Sequence, residues 1–368
     1  MISLSAPTSV LLAGGGSAGH VSPLLALADA IVRRHPDARV TALGTREGLE
    51  ARLVPARGLD LRFVPKVPLP RRPSGDLLRL PANLRAAVAA AGAAIDETGA
   101  QVVVGFGGYV SAQAYLAARR RKVPIVVHEQ NARAGIANRL GARWSTHVAT
   151  TFTGTTLAHA RRIGMPLRRE VSTLDRAALR PEAAAHFGLD PSLPTILVTG
   201  GSLGAQRLNE AFRARVGHLG VAGLQVLHVT GLGKEFEPEG SPDGARYVVV
   251  PYAERMELAY AAADLVVARS GANTVCELTA VGLPAVYVPL PVGNGEQRLN
   301  AAEVVAAGGG ILVEDADLTP TWLDEHLVPL ATDPARLCEM GRRARALGEP
   351  RADELLADLV DDAARSRP

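Results

Sequence analysis

Two glycine-rich segments, in opposite halves of the 368-residue chain, each close a predicted strand and open a predicted helix. The first runs from Ala13 to His20 and the second from Thr199 to Gln206. Glycine lets the backbone come close to a ligand, and the helix that follows offers unpaired N–H groups with a partial positive charge. The two turns therefore favour an α/β fold and predict two sites for negative groups, as in an enzyme that brings together two phosphate-bearing molecules.

Short apolar strands alternate with longer helical patterns through both halves of the chain. We predict strands at Val10–Ala13, Val40–Leu43, Leu61–Val64, Val102–Gly105, Ile125–Val127, His147–Ala149, Thr195–Thr199, Leu224–Val229, Tyr247–Val250, Leu265–Ala268, Ala285–Val288 and Gly310–Val313. Strands that lack polar alternation and are separated by helices indicate parallel sheets covered on both faces. Each half therefore predicts a Rossmann-like domain whose ligands bind at the carboxyl ends of the strands.

The strand pattern stops near Gly164–Leu174, and a last helical segment follows Pro350. A chain of 368 residues is long enough for two domains of ordinary size. We therefore expect a first domain at residues 1–168, a second domain at residues 169–347, and a C-terminal helix at residues 348–368 that packs back on the first domain.

The composition argues against several classes of protein. Aromatic residues make up only 4% of the chain, so base stacking has little material and we expect no nucleic-acid partner. The net charge of +3 and the pI of about 9.1 suit phosphate-bearing ligands or an anionic membrane surface without requiring either. We identify no signal peptide, no apolar run of membrane-spanning length and no metal-ligand spacing of the two cysteines. These features predict a cytoplasmic protein.

The first glycine turn carries His20 at the start of its helix. A site for NAD would need an acidic residue at the end of the second strand, but that strand ends in Leu43–Arg46, without a carboxylate. NAD is therefore disfavoured, and NADP bound through Arg46 stays an alternative. A histidine at this edge can accept a proton from a hydroxyl group at neutral pH. The other interpretation is that His20 only caps the turn.

Polar residues also follow two other strands of the first half. Gly105–Ser111 offers a flexible loop with the phenol of Tyr109, and His128–Asn131 comes after a buried strand, with Asn138 in the next helical segment. Polar groups beside a buried strand need hydrogen-bond partners. His128–Asn131 and Asn138 therefore either bind sugar hydroxyls or form a polar network that holds the loops, whereas Gly105–Ser111 is either part of the site or only a tight strand-to-helix turn.

In the second half, Gly200–Gln206 is the better phosphate cradle because Ser202 adds a hydroxyl group. Arg269–Glu277 opens a helix after another strand, and Glu277 can accept hydrogen bonds from both ribose hydroxyls while a diphosphate rests on the helix N-terminus. The alternative is that Glu277 only complements the helix dipole. Gln297, near a third strand end, either binds sugar hydroxyls or is an exposed residue at a helix start.

Asp315 and Asp317 resemble the acidic pair of metal-dependent sugar transferases. They precede Leu318–Pro320, the predicted start of a helix, where carboxylates cap the N-terminus and complement the dipole. We therefore expect helix-capping residues here and predict no metal site.

Taken in order, these segments resemble the MurG family, the N-acetylglucosaminyltransferases that act on lipid I in peptidoglycan synthesis, over nearly the whole chain. The segments that carry the resemblance are Gly15–His20, Gly107–Ser111, His128–Asn131, Gly200–Ser202, Gly204–Gln206, Arg269–Gly271 with Glu277, and Gln297 with Asn300. The resemblance implies the GT-B fold, an α/β fold in which two Rossmann-like parallel-sheet domains face a central cleft. It also implies that no metal or other cofactor is needed.

The resemblance further implies a reaction and its residues. GlcNAc would pass with inversion from UDP-GlcNAc, bound by the second domain, to the 4-hydroxyl of MurNAc in undecaprenyl-diphosphate-linked lipid I, bound by the first. The implied base is His20, with Glu129 and Tyr109 as less favoured candidates. The implied substrate-binding residues are Ser17, Ala18, Gly19, Asn131, Asn138, Arg168, Ser202, Gln206, Arg269, Ala272, Asn273, Thr274, Glu277, Gln297 and Asn300.

A lipid-linked acceptor requires docking to a membrane. Val67–Arg72 and Leu77–Leu80 mix apolar side chains with arginines, and Arg119–Lys122 adds a basic cluster. Such segments suit an anionic inner leaflet, and we expect a peripheral protein on the cytoplasmic face of the plasma membrane. The alternative is an ordinary solvated surface. The rival functions are another metal-independent GT-B UDP-sugar transferase, a UDP-GlcNAc 2-epimerase, and an NADP oxidoreductase or nucleotide-binding regulator.

Overall fold

The computed structural model describes residues 7–16, 18–67, 76–201, 204–240 and 246–366, with the backbone alone at residues 18 and 76–79. Several predicted features lie outside the described residues: Ser17, Ser202, the side chain of Ala18, residues 68–72 and the side chains of residues 77–79. The chain divides into two compact units. The first comprises the residues up to Arg168 and those from Arg351 onward, and the second comprises Arg169–Pro350.

All strands of the described residues are parallel and form two sheets. The first unit holds β1 Ser9–Ala13, β2 Arg39–Gly44, β3 Asp60–Phe63, β4 Val102–Gly105, β5 Ile125–Glu129, β6 His147–Thr150 and β7 Ala160–Arg162. The second unit holds β8 Thr195–Thr199, β9 Gln225–Val229, β10 Tyr247–Val250, β11 Leu265–Ala268, β12 Ala285–Tyr287 and β13 Gly310–Leu312. Every predicted strand is present, and each end differs by two residues at most. Strand β7 was missed because its side chains are all exposed and give no apolar pattern.

Helices connect the strands, as parallel pairing requires. They are α1 Ala18–Arg34, α2 Glu50–Leu53, α3 Asp76–Thr98, α4 Gly108–Arg121, α5 Ile136–Ala142, α6 Arg169–Ser172, α7 Arg176–Phe187, α8 Gln206–Arg213, α9 Val216–Val221, α10 Met256–Ala262, α11 Ala272–Val281, α12 Glu296–Ala306, α13 Pro320–Trp322, α14 Val328–Ala331, α15 Pro334–Arg345 and α16 Ala352–Arg365. A 3₁₀ turn lies at Pro55–Arg57 and a π-helical turn at Leu323–Leu327.

The strands of the first sheet lie in the order β3-β2-β1-β4-β5-β6-β7. Since β1 lies between β2 and β4, the strand order reverses there, and the carboxyl ends of β1 and β4 form the topological switch point where open parallel sheets bind ligands. Ala13, at the end of β1, pairs with Leu43 of β2 and Gly105 of β4. The first glycine turn and the loop after Gly105 therefore share one edge of the sheet.

The second sheet has the order β10-β9-β8-β11-β12-β13, with its switch point between β8 and β11. Thr199, at the end of β8, pairs with Ala268 at the end of β11. The second glycine turn and the segment Arg269–Glu277 therefore begin side by side. In each unit, the glycine turn therefore lies at the switch point of that unit's sheet, whereas His128–Asn131 lies at the end of the neighbouring strand β5 and Gln297 comes after the neighbouring strand β12.

Apolar side chains cover both faces of the first sheet. Along β1, Val10 and Leu12 pack into the cluster that includes α1 and α16, and Leu11 and Ala13 pack into the cluster that includes α3 and α4. All four side chains have no exposed surface. Burial on both faces explains why the strands are continuous apolar runs without polar alternation.

The C-terminal helix α16 belongs to the first unit. Leu356 lies in the same apolar cluster as α1, and Arg33 at the end of α1 pairs with Asp353 at 2.7 Å. His35 adds a contact of 3.0 Å to Asp361. The chain therefore passes from one unit to the other twice. Among the described residues, no helix combines the length and the apolar character that crossing a membrane requires.

Candidate active site

A buried carboxylate holds the first glycine turn. Glu50, in α2, is fully buried and accepts hydrogen bonds from the Gly16 N–H group at 2.9 Å and from the N–H and hydroxyl groups of Thr45 at 2.8 and 2.9 Å. The criterion of an acidic residue at the end of β2 could not find it, because Glu50 lies in the following helix. Its carboxylate nevertheless reaches the turn after β1.

Three glycines provide the space for this carboxylate. A Cβ atom at Gly15, Gly44 or Gly48 would lie within 2.4 Å of the Glu50 side chain. The carboxyl group is therefore enclosed by backbone and by its own hydrogen bonds. It cannot serve as the ribose acceptor of a dinucleotide, and this geometry does not favour an NAD site.

His20 is half-buried in the first turn of α1, with its Nδ1 atom 3.2 Å from the carbonyl oxygen of Gly15. A carbonyl oxygen only accepts hydrogen bonds, so Nδ1 carries the proton and Nε2 has the lone pair in the neutral ring. A Cβ atom at Gly107 would lie only 3.2 Å from Nε2 of this ring, so glycine there lets the loop after β4 pack closely against His20. The arrangement makes Nε2 the atom of His20 that can take up a proton.

Glu129 is the last residue of β5 rather than part of the loop that follows, and only 2% of it is exposed. Its carboxylate accepts hydrogen bonds from the N–H groups of Asn131 and Gly135 at 3.0 and 2.9 Å and from the Asn138 amide at 2.9 Å. These contacts fix the loop between β5 and α5. The geometry therefore favours Glu129 as a positioning residue of this loop over Glu129 as the base.

Asn138 has no exposed surface, and its side chain is hydrogen bonded at both ends within the first unit. The amide group donates to Glu129 and to the His128 carbonyl at 2.9 and 3.0 Å, and the oxygen accepts from the Tyr115 hydroxyl at 2.9 Å. Burial, with a contribution from Glu129, raises the pKa of Tyr115 well above its usual value. Asn138 thus belongs to the polar network, the alternative to a substrate-binding role.

His128 connects this network to the segment that leaves the first sheet. Its Nε2 donates to the Gly164 carbonyl at 2.9 Å, and its Nδ1 accepts from the Gln130 amide at 3.0 Å. Burial lowers the pKa of His128 to about 4. The ring is therefore neutral at physiological pH and has a structural function.

We expect this histidine to make the first unit sensitive to acid. The unfolded chain takes up the His128 proton near pH 6.5, whereas the folded chain does so only near pH 4, so stability is complete above pH 6.5 and falls as the pH is lowered. The His128 contribution to the unfolding free energy should fall by about 2 kcal/mol between pH 7.5 and 5. Urea titrations would show a shallower pH dependence for His128→Gln. An unchanged slope would contradict this assignment.

The other predicted residues of the first unit differ in burial. Tyr109 is half-buried and packs against the apolar cluster of α3 and α4, which does not favour it as the base. The Asn131 carbonyl accepts a hydrogen bond from Thr155 at 3.1 Å, which fixes the backbone of this residue. Gly19 is exposed in α1. Arg168 is half-buried and forms no ion pair with any described residue.

The second glycine turn packs against the end of β9. A Cβ atom at Gly204, where φ is +65°, would lie 2.0 Å from the Thr230 carbonyl oxygen, so only glycine allows this approach. Gly201 also has a positive φ of 80°. Gln206 begins α8, but its exposed amide donates to Glu210 of the same helix at 2.8 Å. The glycines allow the backbone conformation of the turn, and the Gln206 side chain forms a hydrogen bond within α8.

Helix α11 begins beside this turn without a side-chain cap at its N-terminus. The Ser270 hydroxyl, just before it, is fully buried and has no hydrogen-bond partner among the described residues. A buried hydroxyl without a partner is costly, and phosphate oxygens would accept hydrogen bonds both from it and from the helix N–H groups. This start of α11, including Ala272, Asn273 and Thr274, is the diphosphate position that the sequence predicts.

Glu277 lies further along α11 and is half-buried. Its carboxylate accepts a hydrogen bond from the Tyr260 hydroxyl at 2.6 Å, and Tyr260 is 2% exposed. A rigid phenol therefore orients the carboxylate. A carboxylate oriented in this way is the ribose acceptor that the sequence predicts for this position.

Arg269 holds strand ends together. Its side chain is 11% exposed, donates to the carbonyls of Val288 and Pro289 at 3.2 and 3.1 Å, and forms an ion pair with Asp315. The expectation that Asp315 caps a helix is therefore wrong, since Thr319 caps α13. The described part of the chain contains no group of three His, Cys, Asp or Glu side chains that could hold a metal ion.

Gln297 and Asn300 lie on α12 with different surroundings. The Gln297 side-chain oxygen accepts a hydrogen bond from the Leu290 N–H group at 2.9 Å, which orients its amide nitrogen as a donor. Asn300 is 1% exposed and donates to the Ser270 carbonyl at 3.3 Å. Asn300 thus connects α12 to the loop before α11, whereas half-buried Gln297 keeps a donor for a ligand.

Comparison with known proteins identifies the class of protein that carries these two sites. The model of the glycosyltransferase family 28 N-terminal domain matches residues 10–150, and the model of the family 28 C-terminal domain matches residues 195–356. A chain whose two halves match these models in this order is a two-domain glycosyltransferase.

Curated relatives narrow the class. The chain is 55% identical to a protein of Streptomyces avermitilis over 97% of this chain and 99% of that one, and 58% identical to one of Saccharopolyspora erythraea over 96% and 93%. Both are named UDP-N-acetylglucosamine--N-acetylmuramyl-(pentapeptide) pyrophosphoryl-undecaprenol N-acetylglucosamine transferase. The chain belongs to the MurG family, as its motifs predict.

Solved structures confirm the predicted GT-B fold. The crystal structure of Acinetobacter baumannii MurG has a TM-score of 0.79 and 29% identity, covering 97% of this chain and all of that one. The structure of Os79 from O. sativa in complex with UDP has a TM-score of 0.68 over 96% of this chain and all of that one. Its identity of 15% shows the shared fold alone.

Proposed function

We propose that the chain transfers GlcNAc from UDP-GlcNAc to lipid I, forming lipid II for peptidoglycan synthesis. The proposal rests on one observation: the first switch point carries a group that can act as a base, and the second carries groups that can bind a nucleoside diphosphate. The first has a histidine whose proton is fixed on Nδ1, and the second has an uncapped helix N-terminus with an oriented carboxylate. The curated relatives are named for the same transfer.

The second unit would bind the donor. Glu277, oriented by Tyr260, would accept hydrogen bonds from the ribose hydroxyls. The start of α11 and the Ser270 hydroxyl would hold the diphosphate, and the amide of Gln297 would donate to the sugar. Ser202 and Arg168 are the further phosphate contacts that the family resemblance implies.

The first unit would bind the acceptor and supply the base. The 4-hydroxyl oxygen of MurNAc attacks C1 of GlcNAc while its proton passes to Nε2 of His20. The bond between C1 and the diphosphate oxygen breaks on the opposite face, so the configuration at C1 inverts and UDP leaves. The dipole of α11 and the guanidinium of Arg168 would stabilise the negative charge that develops on UDP.

A direct assay measures UDP release from UDP-GlcNAc with and without a lipid I analogue. We expect release that depends on the acceptor, and a product heavier than the analogue by one GlcNAc residue. Conversion of UDP-GlcNAc to an epimer without any acceptor would instead show an epimerase. UDP release only with a different acceptor would show another sugar transferase.

We also propose that the first unit docks on an anionic membrane at the cytoplasmic face. In the cluster at residues 119–122, Arg121 is engaged by Asp96 at 2.7 and 2.6 Å, and Arg119 stacks on Trp144 at 4.4 Å. Arg120 and Lys122 are exposed, and the cavity that Lys122 borders, together with Arg143, has no acidic residue in its lining. These three residues, Arg120, Lys122 and Arg143, form the basic patch of the proposal.

Reversing the basic patch should weaken membrane binding. Each basic residue near an anionic surface contributes about 1 kcal/mol, so changing all three to glutamate should lower the partition coefficient on phosphatidylglycerol vesicles at least about 100-fold. Co-sedimentation measures this effect. As a control, reversing the exposed Arg336, Arg342 and Arg343 of the second unit changes the net charge equally and should leave sedimentation unchanged. Equal effects of the two triple variants would contradict the docking surface.

A further inference from the structure

The peptide group between Gly15 and Gly16 is hydrogen bonded on both sides to side chains. Its carbonyl oxygen accepts from Nδ1 of His20 at 3.2 Å, and its N–H group donates to Oε2 of Glu50 at 2.9 Å. One rigid peptide unit therefore joins the carboxylate to the imidazole. This connection uses backbone atoms, so the residue types of the turn do not reveal it.

The carboxylate of Glu50 is fixed in place. The side chain is fully buried, forms no ion pair with any described residue, and is enclosed by the glycines at positions 15, 44 and 48. Its oxygens are occupied by the three donors of Gly16 and Thr45. Because no guanidinium or ammonium group pairs with it among the described residues, its charge acts on these donors.

We propose that Glu50 is a positioning residue for the reaction and acts on His20 through the Gly15–Gly16 peptide. A base needs a third group that holds its ring and selects its tautomer. Here the peptide carbonyl contacts the ring directly, and the carboxylate behind the peptide polarises it and strengthens the carbonyl as an acceptor. The result is a neutral His20 that carries its proton on Nδ1 and presents Nε2 to the acceptor hydroxyl.

The inference rests on the proposed function through His20 as the base. The alternative is a purely structural role, in which Glu50 only stabilises the turn. A structural role predicts lower stability and general loss of activity, whereas the positioning role predicts a changed imidazole tautomer and an effect that requires His20. The test therefore measures the tautomer of His20, and it also measures whether the effect of Glu50 on kcat requires His20.

The primary variant is Glu50→Gln, which keeps the shape and removes the charge. The amide must place its NH₂ group against either Gly16 or Thr45, both of which donate. We expect kcat to fall about 10- to 100-fold, the effect typical of hydrogen-bond partners that orient the histidine ligands of metal sites. The affinity for UDP should stay unchanged, because neither Glu50 nor His20 is among the proposed donor contacts.

Two further measurements separate positioning from structure. Imidazole ¹⁵N NMR should show the Nδ1-protonated tautomer of His20 in the unaltered protein and a loss of this preference in Glu50→Gln. In a double-mutant cycle, Glu50→Gln should cause no further loss of kcat once His20 is alanine, since its effect passes through that ring. Asp353→Asn, which removes a buried carboxylate from the same unit, should leave the tautomer unchanged.

A second variant covers a failure of Glu50→Gln to fold. Alanine at Gly48 would place a Cβ atom 2.1 Å from Oε2 and 2.2 Å from Oε1, so Gly48→Ala must displace the carboxylate from both Gly16 and Thr45 while the charge is kept. It should cause the same change in tautomer. Full activity and an unchanged tautomer in either variant would overturn the inference. So would a loss of kcat that is equally large without His20. If unaltered protein transfers no GlcNAc to the lipid I analogue, the proposed function itself has failed, which is a separate outcome.

Discussion

Replacing His20 with alanine should lower kcat by about 10²- to 10⁴-fold, the usual contribution of a positioned general base. The 4-hydroxyl of the acceptor is a weak nucleophile, and its proton must leave as the bond to C1 forms. In the structure, Nδ1 of His20 donates to the Gly15 carbonyl, so the proposed mechanism assigns the transferred proton to Nε2. Steady-state assays with a lipid I analogue measure the effect.

A measurement of UDP binding distinguishes the loss of a base from a general loss of function. The affinity for UDP, measured by calorimetry, should not change in His20→Ala, since His20 is not among the proposed donor contacts. A matched control is His159→Asn, which removes an exposed histidine of the first unit at a position with φ of +60° that asparagine tolerates. It should retain full activity. Unchanged turnover in His20→Ala would exclude this residue as the base.

Replacing Glu277 with alanine should weaken UDP binding by about 10- to 150-fold. Hydrogen bonds to a charged group contribute about 1.5–3 kcal/mol, and each 1.4 kcal/mol is a factor of ten in affinity. The carboxylate lies on α11 and is oriented by the Tyr260 hydroxyl at 2.6 Å. The dissociation constant of UDP, measured by calorimetry, tests the ribose contact independently of transfer.

Two variants of α10 serve as references for this measurement. Tyr260→Phe keeps the Glu277 carboxylate and removes only the hydroxyl that orients it, so its effect on UDP binding should be smaller. Glu257→Ala removes a glutamate that forms an ion pair with Arg255 at 2.8 Å, and UDP binding should not change. If Glu277→Ala bound UDP as tightly as Glu257→Ala, the ribose would not rest on Glu277.

The strands of both sheets are predictable because burial on both faces leaves continuous apolar runs. The same reasoning explains why strand β7 was not predicted. Ala160–Arg162 is an exposed edge strand, and its sequence carries no burial signal. The switch points follow from strand order, which depends on pairings between distant segments and cannot be obtained from local pattern alone.

The candidate site was predictable in residue type but only partly in role. Asn138 and Asn300 are polar residues near strand ends, yet both are buried and hydrogen bonded within their own units. Spacing along the chain does not distinguish a side chain that meets a ligand from one that fixes a loop. Glu50 shows the converse, because its contacts with Gly16 depend on space left by glycines from three separate positions.

A structure of the protein with UDP bound tests the central claim most directly. We predict the uridine diphosphate in the second unit, with the ribose hydroxyls within hydrogen-bond distance of the Glu277 carboxylate and the phosphates at the start of α11. A nucleotide bound instead at the first glycine turn, beside His20, would contradict the account.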